Sequence, residues 1–432
     1  MRSIEIDPDY CLAWFNLGKM YRRQRKYDDA IEVLLWAEGL EVKNVDILNE
    51  LSITYYERNQ KDFSLDYITK SLTFEPNNPK TLCIKARILL SEYNFSEAEI
   101  FYKRVIETNE KYSEAYSGLG YLYSLTNHID KAIIFLNKSL KINPSDGFSK
   151  DVLASIYKKD KKYNLAIDLF KEGEQPFWEE NVLECLYHSE RYETFNNFIK
   201  ENLLAVSLSR KTSAILNHAS IHLQNNMNNL YCEKPLDYIQ YTDVVQIDGL
   251  PNFNKRLIEE FYTYKMDLVD RTQGLLSNGT QSTLNIFDQG SDLFDSFKEF
   301  LLNEIANYVK VYEASNDGFI TNWPSEFRLN GWLVNIKKGG FLKSHNHPKG
   351  WISGVYYLKI PKKNDKNEAN IKFVLHNDDF PKSDKIFPEK EIEALESRLI
   401  LFPSSLYHHT NLFTDDSDRI CVSFDFQPSG DN

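Results

Sequence analysis

Two histidines one residue apart, His345 and His347, stand in the stretch Phe341-Leu342-Lys343-Ser344-His345-Asn346-His347-Pro348. In an extended chain alternate side chains share a face, so both imidazoles point the same way. A third, His408, ends the stretch Phe402-Pro403-Ser404-Ser405-Leu406-Tyr407-His408, and Arg419 opens the alternating run Arg419-Ile420-Cys421-Val422-Ser423-Phe424-Asp425-Phe426. Two imidazoles on one strand and one on a later strand make three facial ligands. They leave open positions on an octahedral metal, which catalysis needs and a closed structural site lacks. Imidazole suits iron, zinc and copper. Fe(II) is the redox-active choice that can hold a bidentate 2-oxo acid. Arg419 is the candidate for the far carboxylate, because a guanidinium pairs with carboxylate in a two-pronged fork.

Such a constellation needs a stiff frame, and the second half of the chain is patterned as one. Short alternating runs predict strands at 241–247, 327–337, 341–347, 352–360, 371–375, 398–402 and 419–426, with Gly339-Gly340 breaking the second from the third. Helices are expected at 254–270 and at 292–311, where Phe294, Phe297, Leu301, Ile305 and Tyr308 share a face. Residues 275–287 carry Ser277-Asn278-Gly279-Thr280-Gln281-Ser282-Thr283 and read as a loop over the site. Residues 376–390 read as an irregular loop, with His376, Asp378 and Asp379 solvated, and 389–396 as an exposed charged segment. His409 would point away from His408 on a strand and reads as structural. Antiparallel strands with turn signals between them predict a double-sheet jelly roll.

The first half is built on a different period. Trp14, Leu17, Gly18, Tyr21, Ala30 and Leu34 return after 34 residues as Leu48, Leu51, Ser52, Tyr55, Ser64 and Ile68. Later copies run through Leu82, Ala86, Leu89, Ala98 and Tyr102, then Tyr116, Leu119, Gly120, Tyr123, Ala132 and Leu136, then Leu153, Ala154, Tyr157, Ala166 and Phe170. The pattern resembles the tetratricopeptide repeat, a helix–turn–helix unit, over roughly residues 1–180. One such unit cannot bury its apolar face alone, so the resemblance implies a stacked superhelix with a concave surface for a protein or peptide. Ile6-Asp7-Pro8 aligns with Ile142-Asn143-Pro144, so the chain is expected to start inside a repeat. Residues 181–201 read as a worn repeat and 203–229 as helix closing the array, which puts the expected domains at 1–236 and 237–432.

The flanks of the histidines carry a second resemblance. Trp332…Gly340…His345-Asn346-His347-Pro348…Trp351…Ser353-Gly354-Val355-Tyr356-Tyr357…Leu399-Ile400-Leu401-Phe402-Pro403-Ser404…His408…Arg419-Ile420 resembles the 2-oxoglutarate/Fe(II) oxygenases that often follow tetratricopeptide repeats. That resemblance implies a double-stranded β-helix, Fe(II), 2-oxoglutarate as co-substrate, succinate as co-product and a hydroxylation. Carried over by position, His345, His347 and His408 are the catalytic metal ligands and Arg419 binds the co-substrate, with Asn335, Tyr356, Tyr357 and Ser423 as polar contacts. His347 stands where better-known members have Asp or Glu. Ligation, a place just beyond the ligands, and a vacant coordination position all stay open for it. Cys421 stands where a Ser is usual, and Ser423 shares its face. The competing expectation is a non-catalytic interaction protein whose β domain holds zinc or nothing.

Composition bounds the rest. The chain has 432 residues, a 42% hydrophobic fraction and a net charge of −12, so it can bury large cores and is not expected to bind nucleic acid or an anionic membrane surface. Cys11, Cys83, Cys185, Cys232 and Cys421 are scattered and odd in number, with no CxxC pair, which fits a reducing compartment. With no apolar leader and no apolar run near 18 residues, a cytoplasmic location is expected.

Overall fold

The computed structural model describes residues 6–58, 60–245, 247, 251–263, the backbone of 268–269, and 275–429. The chain divides into two compact units, Met1–Trp178 and Glu179–Asn432. This division precedes the compositional change near residue 237.

The first unit is a run of helix pairs: α1 (Cys11–Arg23) with α2 (Tyr27–Leu40), α3 (Val45–Glu57) with α4 (Lys61–Phe74), α5 (Pro79–Ser91) with α6 (Phe95–Thr108), α7 (Ser113–Leu125) with α8 (Ile129–Ile142), and α9 (Gly147–Lys159) with α10 (Tyr163–Gly173). Small residues decide how closely each pair packs. Ala30, Ser64, Ala98, Ala132 and Ala166, each 34 residues after the last, are fully buried. A Cβ on Gly18 would lie 2.5 Å from Cγ of Leu34, and one on Gly120 would lie 2.6 Å from Cγ of Leu136, so at these two positions an added side chain would force the facing leucine to shift. The turn inside four of the pairs also recurs in step with the repeat. Arg25, Tyr93, Asn127 and Lys161 hold φ between 57° and 60°, a left-handed corner without glycine. Asn44, Asn78 and Asp146 open α3, α5 and α9 by accepting backbone N–H groups on their side chains.

The second unit begins with helices α11 (Trp178–His188), α12 (Tyr192–Glu201), α13 (Leu203–Ser207) and α14 (Arg210–His222). The last of these bonds into the β region: His218 Nε2 lies 2.8 Å from His376 Nδ1, and His222 Nδ1 lies 2.9 Å from Ser383 Oγ. His376, expected to be solvated, is thus half-buried and partnered, while Asp378 and Asp379 are exposed.

The strands are β1 (Gln240–Asp243), β2 (Leu268–Val269), β3 (Leu276–Ser282), β4 (Phe327–Leu342), β5 (Ile352–Lys359), β6 (Ile371–Val374), β7 (Glu389–Ile392), β8 (Arg398–Pro403), β9 (Tyr407–Thr410) and β10 (Arg419–Pro428). They form an antiparallel sheet in the order β1-β8-β5-β10-β4-β3-β2 and a smaller one in the order β7-β6-β9. The two sheets face each other as a double-stranded β-helix. Between them lie Val334, Ile336, Val355, Tyr357, Ile400 and Cys421 of the large sheet and Ile371, Phe373 and Ile392 of the small one. The other face of the large sheet buries Leu333, Tyr356, Ile420, Val422 and Phe424 against α15 (Phe253–Thr263) and α16 (Asp292–Val311).

Four local expectations change. Residues 276–282 are a strand, because β4 supplies the hydrogen-bond partner that a polar segment cannot find alone. Glu389–Ile392 also pairs, against β6. Gly339, at φ 72°, bends β4 without ending it, and the strand runs on to Leu342. The histidine stretch is not itself a strand: His345 makes an isolated antiparallel bridge to His408. The expected helix at 254–270 covers Phe253–Thr263, and its end lies outside the described residues. Among the described residues no helix is long and apolar enough to cross a membrane.

Candidate active site

Strand parity places the site. Cys421 pairs with Val334 and Tyr357, and Ser423 pairs with Trp332 and Val355. Arg419, Cys421, Ser423 and Asp425 therefore all face the space between the sheets, while Ile420, Val422 and Phe424 face the helices. That space is a cavity of about 500 Å³ lined by His345, His347, His408, Trp332, Arg419 and Ser423, among others.

The three imidazoles converge. One ring nitrogen from each lies within 4.8 Å of the others. The chain brings them there by reciprocal backbone bonds, His345 N to His408 O at 3.1 Å and His408 N to His345 O at 2.9 Å. His347 is fixed by its own N–H to the carbonyl of Ser404 at 2.9 Å.

Each Nδ1 has an oxygen partner. For His345 it is Lys343 O at 2.8 Å, for His408 Leu406 O at 3.2 Å, and for His347 Asp425 Oδ1 at 2.7 Å. A carbonyl oxygen only accepts, so Nδ1 of His345 and His408 carries the proton and Nε2 keeps its lone pair. The Nε2 of His347 is buried with no hydrogen-bond partner among the described residues. Burial, then the neighbouring His347, pushes His345 down to about 4. Burial, with His345 and His347 adding, pushes His408 well below the ordinary imidazole range. These two rings therefore stay neutral at physiological pH, as metal ligands must be. Trp332 stacks on His347 at 5.7 Å, and Phe402 sets its edge to His408 at 4.8 Å.

Arg419 lies on the same cavity and is 1% exposed. Its Nε donates to Ala369 O at 3.1 Å, Nη1 approaches Cys421 Sγ at 3.5 Å, and Nη2 donates to Tyr357 Oη at 3.3 Å. All three partners are neutral, and among the described residues no carboxylate pairs with it. A buried guanidinium without a counter-charge is costly.

Known proteins match both halves of this arrangement. A family described as "Putative 2OG-Fe(II) oxygenase" matches residues 330–425, a span holding all three histidines and Arg419. Two tetratricopeptide-repeat families match residues 1–32 and 113–146. The chain joins tetratricopeptide repeats to a 2OG-Fe(II) oxygenase-type domain.

Similar curated proteins include the anaphase-promoting complex subunit CDC16 of Saccharomyces cerevisiae, 25% identical over 35% of this chain and 23% of that protein. The BBSome complex member BBS4 homolog of Drosophila melanogaster is 24% identical over 35% of this chain and 31% of its own length. The chain thus spans under a third of either relative. Among solved structures, PilF of Pseudomonas aeruginosa is 15% identical with a TM-score of 0.40, covering 48% of this chain and 96% of that one.

The oxygenase-type domain sorts the remaining expected residues. Ser423 lines the cavity. Tyr357 does not line it; it lies beneath, bonded to Arg419. Asn335 and Tyr356 face the other way. Asn335 pairs with the outward Ile420 and bonds Asp418 at 3.1 Å, while Tyr356 bonds Asn254 at 2.9 Å, because both have the wrong parity. Asp425 is the functional candidate that pattern reading passed over. Its even separation from Arg419 on one strand already placed it inward.

Proposed function

We propose that the oxygenase-type domain is an Fe(II)- and 2-oxoglutarate-dependent hydroxylase, with His345, His347 and His408 as iron ligands. One observation carries this reading: a buried, unpaired guanidinium, Arg419, shares a cavity with three converging imidazole nitrogens. A site for a metal alone needs no such cation, whereas a dicarboxylate that chelates the metal at one end needs one at the other. When bound, iron would supply the activation of dioxygen coupled to decarboxylation of the 2-oxo acid. The chain's own part is to hold and orient. Arg419 takes the far carboxylate, Tyr357 and Ala369 keep the guanidinium in place, and Trp332 and Phe402 limit water around the imidazoles.

Tetratricopeptide repeats generally mediate protein–protein contact, and here we assign them recruitment of a protein or peptide substrate. A groove of about 800 Å³ in the first unit supports this, lined by Tyr56, Tyr93, Tyr121, Phe148 and Arg87 among others. All five cysteines are buried and none is in a disulfide among the described residues, which supports a reducing, cytoplasmic setting.

An anaerobic titration with Fe(II) and 2-oxoglutarate tests the reading. A visible metal-to-ligand charge-transfer band should appear only when both are present and vanish in His345→Ala and His408→Ala. A protein that binds zinc but gives no band with Fe(II) and 2-oxoglutarate would instead be an interaction protein with a metal-holding β domain.

A further inference from the structure

Three imidazoles bring no negative charge to a divalent metal, yet a carboxylate stands directly behind one of them. Asp425 Oδ1 lies 2.7 Å from Nδ1 of His347 and also accepts from Ser353 Oγ at 2.6 Å. Ser353 is in turn tied to Ser404 at 2.8 Å, and the carbonyl of Ser404 holds the backbone N–H of His347. Asp425 is 6% exposed, and among the described residues neither Lys nor Arg pairs with it. The other two imidazoles have only backbone carbonyls behind them, those of Lys343 and Leu406. The carboxylate is therefore specific to His347, the ring whose buried Nε2 has no hydrogen-bond partner among the described residues.

We infer that Asp425 is a positioning residue for the metal centre: it holds His347 with Nδ1 as donor, aims Nε2 at the metal, and places a negative charge one ring away. This rests on the reading of His345, His347 and His408 as metal ligands. A buried carboxylate is stable only with a cationic partner or full hydrogen bonding, and a metal ion beyond His347 completes that pairing through the imidazole. Trp332, stacked on the ring at an interplanar angle of 21°, keeps His347 from turning away. The charge that a carboxylate ligand would bring is thus retained, displaced by one imidazole. Outer partners of this kind are worth about 10–100-fold in metal affinity.

The test is an anaerobic titration of the full-length apoprotein with Co(II), reading the d–d absorption bands and the dissociation constant. No co-substrate or turnover is involved. Asp425→Asn keeps the shape and an acceptor oxygen but removes the charge; Asp425→Ala removes both. The expected result is a dissociation constant raised about 10-fold in Asp425→Asn and up to about 100-fold in Asp425→Ala. Asp425→Ala should also shift the d–d bands, as the ring loses its orientation. Far-ultraviolet circular dichroism checks that each variant is folded, and Asp425→Asn decides the matter if the alanine variant is not. Wild-type bands with unchanged affinity in Asp425→Asn would overturn the inference while leaving the metal site standing. A wild type that binds no Co(II) and no Fe(II) would remove the metal reading, and this inference with it.

Discussion

The Nε of Arg419 donates to the carbonyl oxygen of Ala369 at 3.1 Å, and Ala369 itself holds a left-handed φ of 60°. One bond thus ties β10 of the large sheet to the segment entering β6 of the small one. It fixes the guanidinium at the base of the cavity, so the anion binding proposed for it would cost little further ordering entropy.

Removing that cation should cost co-substrate binding specifically. Arg419→Gln is expected to weaken 2-oxoglutarate by about 2–5 kcal/mol, the usual cost of truncating one partner of a buried charge pair. Fe(II) affinity in the absence of 2-oxoglutarate should change far less. Arg419→Lys should recover only part of the loss, because an ammonium cannot reach Ala369, Cys421 and Tyr357 together. Titrating the charge-transfer band against 2-oxoglutarate at saturating Fe(II) measures both. Equal losses of iron and co-substrate affinity would place Arg419 in a purely structural role.

The second unit should lose stability in mild acid. His218 is fully buried between Tyr187, His376, Phe380 and Phe387. Burial, followed by His376, His222 and His188, lowers it from an ordinary 6.5 to about 3. Below about 6.5 the unfolded chain takes up a proton that the folded chain refuses until about 3, so stability falls as pH drops through that window and is flat above it. His345 and His408 are lowered too and add to the slope in the apoprotein. Urea midpoints at pH 7.5 and 5 should therefore differ, and His218→Gln should narrow the difference. An unchanged difference in that variant would show that the buried imidazole titrates alike in both states.

Gly120 in α7 sets helix propensity against packing. Ala is favoured over Gly by about 1 kcal/mol in a helix interior. Here the added Cβ would meet Leu136 Cγ at 2.6 Å and Leu136 N at 3.2 Å, and Leu136 is fully buried. Overpacking of this kind costs about 1–3 kcal/mol, so steric strain should win and Gly120→Ala should lower stability. A denaturant titration followed by circular dichroism at 222 nm would show it. A midpoint above wild type would mean the helix pair can separate at little cost.

Much of this molecule is legible in its sequence. The 34-residue period reports which residues each helix must bury, and the coordinates place Ala30, Ala98, Ala132 and Ala166 out of solvent as expected. His345-x-His347, His408 and Arg419 were selected by residue type and spacing, and all four line one cavity. The strands that escaped notice, β3 and β7, are polar and draw their stability from a partner strand rather than from their own alternation. The left-handed corners at Arg25, Tyr93, Asn127 and Lys161 carry no glycine to announce them.

By itself the sequence determined the repeat period, the jelly-roll class and the residues able to hold a metal and an anion, because periodicity and side-chain chemistry are local properties. Only the tertiary structure decided which of those residues meet. Parity along β4, β5 and β10 turned Asn335 and Tyr356 away from the cavity and turned Ser423 and Asp425 into it. The His345–His408 bridge joined residues 63 positions apart, and β10 brought Asp425 behind His347 across 78. Such contacts depend on strand register, which is set by the whole sheet and not by any stretch within it.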